Sequence, residues 1–411
     1  MQTFMKKGIS VYIHIPFCKS KCSYCDFFSK PGIDKLLDSY VDSLCNEIKF
    51  YSRNSDFKIL NTLYIGGGTP SLLSELQLQK LFSTIQNCFE FNPESFEATI
   101  ELNPDDVTLS LVTFLENSFI TRLSLGIQSL KQSTLSLMNR RATRETSLLA
   151  LEIIHSNFSK RFSCDLIAGY PGEYKEDVLE NIKEVIKFNP EHISFYSLCV
   201  EEGTCLYDQI ESNQIDYDLS AADECWLEGK KILEKKGYHQ YEVSNFSKDE
   251  SSQSLHNLTY WHLQNYFGIG SGAAGSFFYK DKSIRYTNTT DLEKYIHFWN
   301  TDSFNKRAIL NSFDGFNDFL RNVPCNVEVI DKDVEEFEFF MMNFRLRKGV
   351  SKSEYESRFE KNIDTRLGTG EGLFSKWIAE GKAEIMEEEN DLFYRLTETG
   401  ILYLNNFLEN L

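Results

Sequence analysis

Six short runs rich in β-branched and aromatic residues alternate with one-faced helical segments along the first 200 residues, and that alternation constrains the fold more than any other feature. The runs are Ile9–Phe17, Thr62–Gly66, Glu97–Leu102, Arg122–Ile127, Arg161–Ala168 and His192–Leu198, most of them closed by Gly, Pro or Asn. Between them Leu36, Leu37, Tyr40, Val41, Leu44 and Ile48, and again Leu78, Leu81, Phe82, Ile85, Cys88 and Phe89, repeat at the spacing that turns one side of a helix toward a core. A strand followed by a helix returns to a parallel strand through a right-handed crossover. The pattern therefore predicts an α/β fold, a partial (β/α)6 barrel. In barrels of this type chemistry gathers where strands end. Cysteines follow the first run and Gly66-Gly67-Gly68-Thr69-Pro70 the second; Glu101 ends the third, Gln128 follows the fourth, and Asp165 lies late in the fifth.

The cysteines are Cys18, Cys22 and Cys25, a C-x3-C-x2-C triplet in the run from His14 to Phe28. Three thiolates in one loop can hold three irons of a [4Fe–4S] cluster and leave the fourth open, whereas a closed electron-transfer cluster takes four cysteines. An open iron implies a ligand. The alternative is a zinc site, although zinc knuckles favour C-x2-C pairs with a second pair or histidines downstream. The other seven cysteines, at 45, 88, 164, 199, 205, 225 and 325, are irregularly spaced within apolar segments and read as buried free thiols of a reducing compartment.

With 411 residues the chain exceeds one ordinary core, and three regions are expected: a barrel over 1–205, an α+β extension over 206–332 and a C-terminal domain over 333–411. Periodicity fades near 301–332. Beyond it the pattern reads helix, helix, a helix over 374–380, a hairpin through 383–396 and a last helix over 400–411, which looks like a winged helix. Residues 334–411 carry 10 basic and 16 acidic side chains, so phosphate binding is disfavoured and the domain reads as a packing or partner module. A net charge of −18 argues against a nucleic-acid groove and against a polybasic membrane anchor, which leaves peripheral membrane contact open. No signal peptide or spanning run is read, and the expected location is cytoplasmic.

A glycine triplet after a strand lets backbone approach a ligand closely. Glu101 and Asp165 sit where strand ends converge and can accept from ribose hydroxyls or an amino group. Arg140 offers a fixed fork that matches a carboxylate.

The triplet and its flanks resemble the radical S-adenosylmethionine (SAM) superfamily, in which the methionyl amino and carboxylate groups chelate the open iron. From Tyr12 to about Asn288 the ordered motifs resemble the oxygen-independent coproporphyrinogen III oxidase family and, within it, the HemW-like haem chaperones. They are Tyr12-Ile-His-Ile-Pro-Phe-Cys18, Gly66-Gly-Gly-Thr-Pro70, Glu101-Leu-Asn-Pro104, Arg122-Leu-Ser-Leu-Gly-Ile-Gln-Ser129, Asn139-Arg140, Asp165-Leu-Ile-Ala-Gly-Tyr-Pro-Gly172, Tyr241-Glu-Val-Ser-Asn245, His256-Asn-Leu-Thr-Tyr-Trp261 and Gly268-Ile-Gly-Ser-Gly-Ala273. The resemblance implies a SAM-contacting set of Tyr12, Tyr24, Gly67, Gly68, Thr69, Glu101, Gln128, Arg140 and Asp165. It also implies a low-potential electron donor.

Two features separate the family's activities. True oxidases generally carry a fourth cysteine two residues after the third and a long segment before the cluster; here Phe27 stands at that position and 17 residues precede Cys18. His256-Asn-Leu-Thr-Tyr-Trp261 fits the HNxxYW motif associated with haem in HemW-like proteins, which makes His256 the expected haem ligand. The chain departs from those proteins at Ala142 and Ala274, where histidines are usual, and at Glu173, where glutamine is usual. The resemblance thus implies a haem chaperone that binds a [4Fe–4S] cluster, SAM and haem and passes haem to an acceptor protein. Radical decarboxylation of coproporphyrinogen III is the alternative, and an iron–sulfur interaction protein without tetrapyrrole is a third.

Overall fold

The computed structural model describes residues 7–32, 34–91, 95–302 and 310–411. Strands β1 (Lys7–Ile15), β2 (Phe57–Gly67), β3 (Glu97–Leu102), β4 (Arg122–Gln128), β5 (Arg161–Ala168) and β6 (His192–Ser197) lie side by side in chain order and pair in parallel. All six expected strands are present; Glu97–Leu102 and Arg161–Ala168 keep the expected bounds and the other four have shifted ends. Proline has no N–H to give a ladder, so β1 stops before Pro16. Phe17–Cys18 pairs instead with Lys30–Pro31 and closes the base of the cysteine loop. The crossovers contain α1 (Leu37–Asn54), α2 (Glu75–Cys88), α3 (Leu109–Glu116), α4 (Gln132–Leu137), α5 (Arg144–Asn157) and α6 (Lys175–Val185). Helix α2 begins in a capping box: Ser74 Oγ accepts from the Gln77 N–H at 3.3 Å while Gln77 Oε1 accepts from the Ser74 N–H at 2.9 Å.

Because strand side chains alternate, the sheet sorts its residues onto two faces. Val11, Ile13, Leu63, Ile65, Leu123 and Leu125 are buried in the apolar core shared with the helices. Their neighbours Ser10, Tyr12, Thr62, Tyr64, Ser124 and Asp165 occupy the opposite face and bond to one another and to later segments. That face holds a fully buried carboxylate, Glu97, with Arg122 Nη1 at 3.7 Å and Arg161 Nη2 at 3.8 Å. A buried charge needs such partners.

Residues 206–332 add to both edges of the same sheet instead of standing apart. After α7 (Cys205–Glu211) and α8 (Leu219–Lys235), β7 (His239–Gln240) and β8 (Asn245–Ser247) extend the β6 edge antiparallel. Past α9 (Leu255–Trp261), β9 (Tyr266–Ile269) pairs in parallel with the free side of β1 and is followed by antiparallel β10 (Ala274–Phe278), β11 (Lys282–Asn288) and β12 (Cys325–Asp331). The expected boundary near 301–332 therefore contains a helix, Phe313–Leu320, and a full strand; residues 303–309 within it lie outside the described residues.

The C-terminal region has its own apolar cluster around Phe339, Phe344, Tyr355, Phe374, Tyr394 and Phe407. Four helices, Lys332–Asn343, Lys352–Phe359, Ile363–Leu367 and Leu373–Ala379, precede an antiparallel hairpin, Ala383–Glu388 with Asp391–Leu396, on which Val350–Ser351 pairs. The expected last helix is two, Glu398–Ile401 and Leu404–Glu409. The extension reaches into this cluster: Leu263, just beyond α9, is buried there at a left-handed φ of 46°, and Val243 and Phe278 pack against it. Arg358 donates to the carbonyls of His262 at 3.5 Å and Leu263 at 3.1 Å and so pins the same turn.

Candidate functional site

The ends of β1 to β5 bring the cysteine loop, the glycine turn, Glu101, Gln128 and Asp165 to one edge of the sheet. The three thiols are half-buried; of the other seven cysteines, expected to be buried, Cys45, Cys164 and Cys225 are, Cys88 and Cys325 are half-buried, and Cys199 and Cys205, in the segment between β6 and α7 and at the start of α7, are exposed. Thr69 Oγ1 donates toward Cys18 Sγ at 3.4 Å, and Arg140 Nη1 stands 3.9 Å from Cys22 Sγ. Burial pushes the Cys25 thiol up to about 11, so filling the site with metal releases protons. Hydroxyl and guanidinium donors beside sulfur favour thiolates, and this donor set fits an iron–sulfur cluster. Among the described residues no three His, Cys, Asp or Glu side chains are grouped to hold a single ion.

The glycine turn is dictated first by packing. At Gly67, with φ 111°, a Cβ would come within 2.5 Å of the His14 ring, and at Gly68 within 2.7 Å of the Phe17 carbonyl oxygen. Gly68 N–H already donates to the Ile15 carbonyl at 2.9 Å, and Gly67 N–H to Glu101 Oε2 at 3.1 Å. The turn is thus a fixed shelf against β1 and β3. Asn103 Nδ2 donates to Thr69 Oγ1 at 3.0 Å, which turns the threonine proton toward Cys18.

Glu101 Oε1 accepts from the Tyr64 hydroxyl at 2.8 Å. Burial pushes its carboxyl up to about 7, opposed by the Tyr64 bond and assisted by the charge of Asp165. Asp165 is also raised by burial, while Ser194 and Ser124 hydroxyls hold it down; Ser124 Oγ is 3.1 Å from Oδ2. Tyr12 OH bonds His14 Nδ1 at 2.9 Å, and His14 Nε2 bonds the Phe28 carbonyl at 2.8 Å, so His14 donates there and accepts from Tyr12. Tyr24 packs edge-on to Tyr170, with ring centroids 6.4 Å apart.

Gln128 ends β4 at a left-handed φ of 64°, next to a register slip in which Gly126 faces Asp165 and Gln128 faces Leu166. A non-glycine residue at such a φ is strained, and strain of this kind concentrates at ligand sites. Arg140 sits after α4, with one guanidinium nitrogen donating to the Gly126 carbonyl and another facing Cys22. Residue order alone does not reveal Tyr64, Ser124 or Asn103 as partners. Their signal is alternation, since Tyr64 and Ser124 share a strand face with the residues they contact.

His256 has a different place from the one its motif suggests. It is 1% exposed; Nδ1 bonds Thr62 Oγ1 at 2.7 Å, and Nε2 bonds Tyr260 OH at 2.7 Å. Its ring stacks on Tyr64 at 5.2 Å, and burial lowers its pKa to about 3. Both nitrogens are engaged, so in this arrangement His256 offers no lone pair to a haem iron. In this arrangement His256 pins α9 to β2.

The Radical SAM superfamily model matches residues 12–185, the span that contains the end of β1, the cysteine loop and β2 to β5. A radical SAM domain implies a [4Fe–4S] cluster and SAM. Among solved structures, one titled "Coproporphyrinogen III oxidase (HemN) from Escherichia coli is a Radical SAM enzyme" superposes with a TM-score of 0.78 over 98% of this chain and 90% of that chain, at 19% identity. That likeness shows the fold. "Heme chaperone HemW" of Buchnera aphidicola subsp. Acyrthosiphon pisum is 33% identical over 99% of both chains. The protein of the same name from Escherichia coli (strain K12) is 30% identical over 98% of this chain and 97% of that one. On this near full-length kinship, the chain belongs to the HemW family of the radical SAM superfamily.

Proposed function

We propose that the chain is a haem chaperone: it binds a [4Fe–4S] cluster through Cys18, Cys22 and Cys25, SAM at the open iron, and haem, which it passes to an acceptor protein. The observation that carries this reading is the kinship with proteins named haem chaperones, which extends through the C-terminal region. Bound cluster and SAM would supply redox chemistry at the strand ends. The chain's own residues would then do the positioning. Arg140 would hold the SAM carboxylate, Glu101 and Asp165 would accept from its amino and ribose groups, and Tyr12, Tyr24, Gly67, Gly68, Thr69 and Gln128 would line the seat. Phe27, 68% exposed, stands where oxidases carry a further cysteine.

The test is anaerobic. Purified, cluster-reconstituted protein is assayed side by side for haem binding and for coproporphyrinogen III turnover with SAM and a low-potential reductant. Haem binding without carbon dioxide release supports the chaperone; two carbon dioxide molecules per tetrapyrrole would replace it with the oxidase reading. Replacing all three cysteines by serine should remove iron and acid-labile sulfide together.

A further inference from the structure

The cysteine loop between its paired ends has no ladder of its own, yet its middle is fastened residue by residue to the turn after α4. Asn139 Nδ2 donates to the Lys21 carbonyl at 2.9 Å, Arg140 Nη1 faces Cys22 Sγ, and the Ser23 N–H donates to the Met138 carbonyl at 3.0 Å. Ser23 Oγ lies 2.9 Å from the Leu137 carbonyl and 2.7 Å from Tyr170 OH, which is itself 3.1 Å from the same carbonyl. The Ser23 carbonyl accepts from the Leu206 N–H of α7 at 2.8 Å. Both hydroxyl residues are buried, Ser23 at 5% and Tyr170 at 1% exposure.

We infer that Ser23 and Tyr170 are positioning residues that lock the cysteine loop to the turn carrying Arg140, and so fix the open iron relative to the guanidinium that would hold SAM. The inference rests on the cofactor reading above. Each hydroxyl owns one proton, so three contacts share two donors. With Tyr170 donating to Ser23 and Ser23 to Leu137, every lone pair that matters is met. Without the Ser23 hydroxyl, Tyr170 can turn to the Leu137 carbonyl; without the Tyr170 hydroxyl, Ser23 still reaches it. Only loss of both removes this donor pair from the Leu137 carbonyl and leaves the loop to the Ser23 N–H, Asn139 and Leu206 bonds alone. The two residues are therefore redundant by construction, and their removal is non-additive.

The experiment compares native full-length protein with Ser23→Ala, Tyr170→Phe and the double variant. SAM affinity is read from the SAM-induced change in the electron paramagnetic resonance spectrum of the reduced cluster, and amide exchange over residues 19–29 is read in cluster-free protein. Single variants should bind SAM within about 1.5-fold of native and the double variant about tenfold or more weaker, well beyond the product of the singles, at unchanged iron and sulfide content per chain. Exchange over 19–29 should accelerate in the double variant by more than the product of the singles. A double variant equal to that product in both measurements overturns the inference. If native protein binds no SAM, the cofactor reading fails, and the exchange measurement alone decides whether the lock exists.

Discussion

Tyr64 donates its phenolic proton to Glu101 Oε1 at 2.8 Å, from a strand neighbour whose ring is also the platform for His256. A hydrogen bond to a carboxylate favours its charged form, so this contact works against the burial that pushes Glu101 up to about 7. Tyr64→Phe keeps the ring and removes the donor. The Glu101 carboxyl should rise further, and the pH at which SAM binding is half-maximal should move upward by about one unit, the worth of one charged hydrogen bond. Calorimetric titrations across pH would show it; an unmoved profile would separate Glu101 from SAM.

At Gln128 strain and function are expected to trade. Glycine tolerates a φ of 64° at little cost, so Gln128→Gly should stabilise the fold by about 1 kcal/mol while weakening SAM binding. The paired measurement is thermal denaturation with SAM titration. Unchanged SAM affinity in a stabilised variant would show that the strained turn serves the fold alone.

His256→Ala removes a ring that is bonded at both nitrogens and stacked on Tyr64. We expect a loss of about 2–4 kcal/mol in stability, because Thr62 and Tyr260 lose their partner inside the protein. The haem Soret band should survive at temperatures where the variant is folded. Its disappearance from a variant with native melting behaviour would restore the histidine as an iron ligand.

Stability should fall as pH rises through neutrality. Glu47 on α1 is fully buried and accepts from the Gly270 N–H at 2.9 Å, Asn288 Nδ2 at 3.1 Å and the Tyr295 hydroxyl. Burial pushes its carboxyl up to about 7, opposed by those three bonds. A carboxyl raised in the folded state contributes stability that is present in full below its unfolded value and is lost as pH climbs through the folded one. For Glu47 that loss is of order 3 kcal/mol, and Glu173 and Glu242, both at about 7, act in the same direction. Between pH 5 and 8, at roughly the span these values set, Glu47→Gln should flatten the decline in melting temperature. A native protein equally stable across that range would remove this account.

Local pattern carried much of this fold. Six strands and the helices between them follow from apolar spacing, and the site residues at the ends of β3, β4 and β5 follow from the rule that parallel sheets place chemistry there. Alternation could not show that β9 joins β1 from the far side, since a four-residue strand pairs by long-range register that leaves no trace in its own residues. The surroundings of the HNxxYW motif were hidden for a related reason. Motif membership marks His256 as important, but only the tertiary arrangement puts Thr62 and Tyr260 against its two nitrogens. Ser23 and Tyr170 were invisible as a pair because 147 positions separate them.

Helix α9 is anchored at both ends to different bodies. His256 fastens its start to β2, while Leu263 and the carbonyls gripped by Arg358 fasten its exit to the C-terminal cluster, about 10 Å away along the axis. So short a segment, held at each end, behaves as a strut. The packing of the C-terminal cluster and the aromatic stack on Tyr64 therefore share one short helix as a common support.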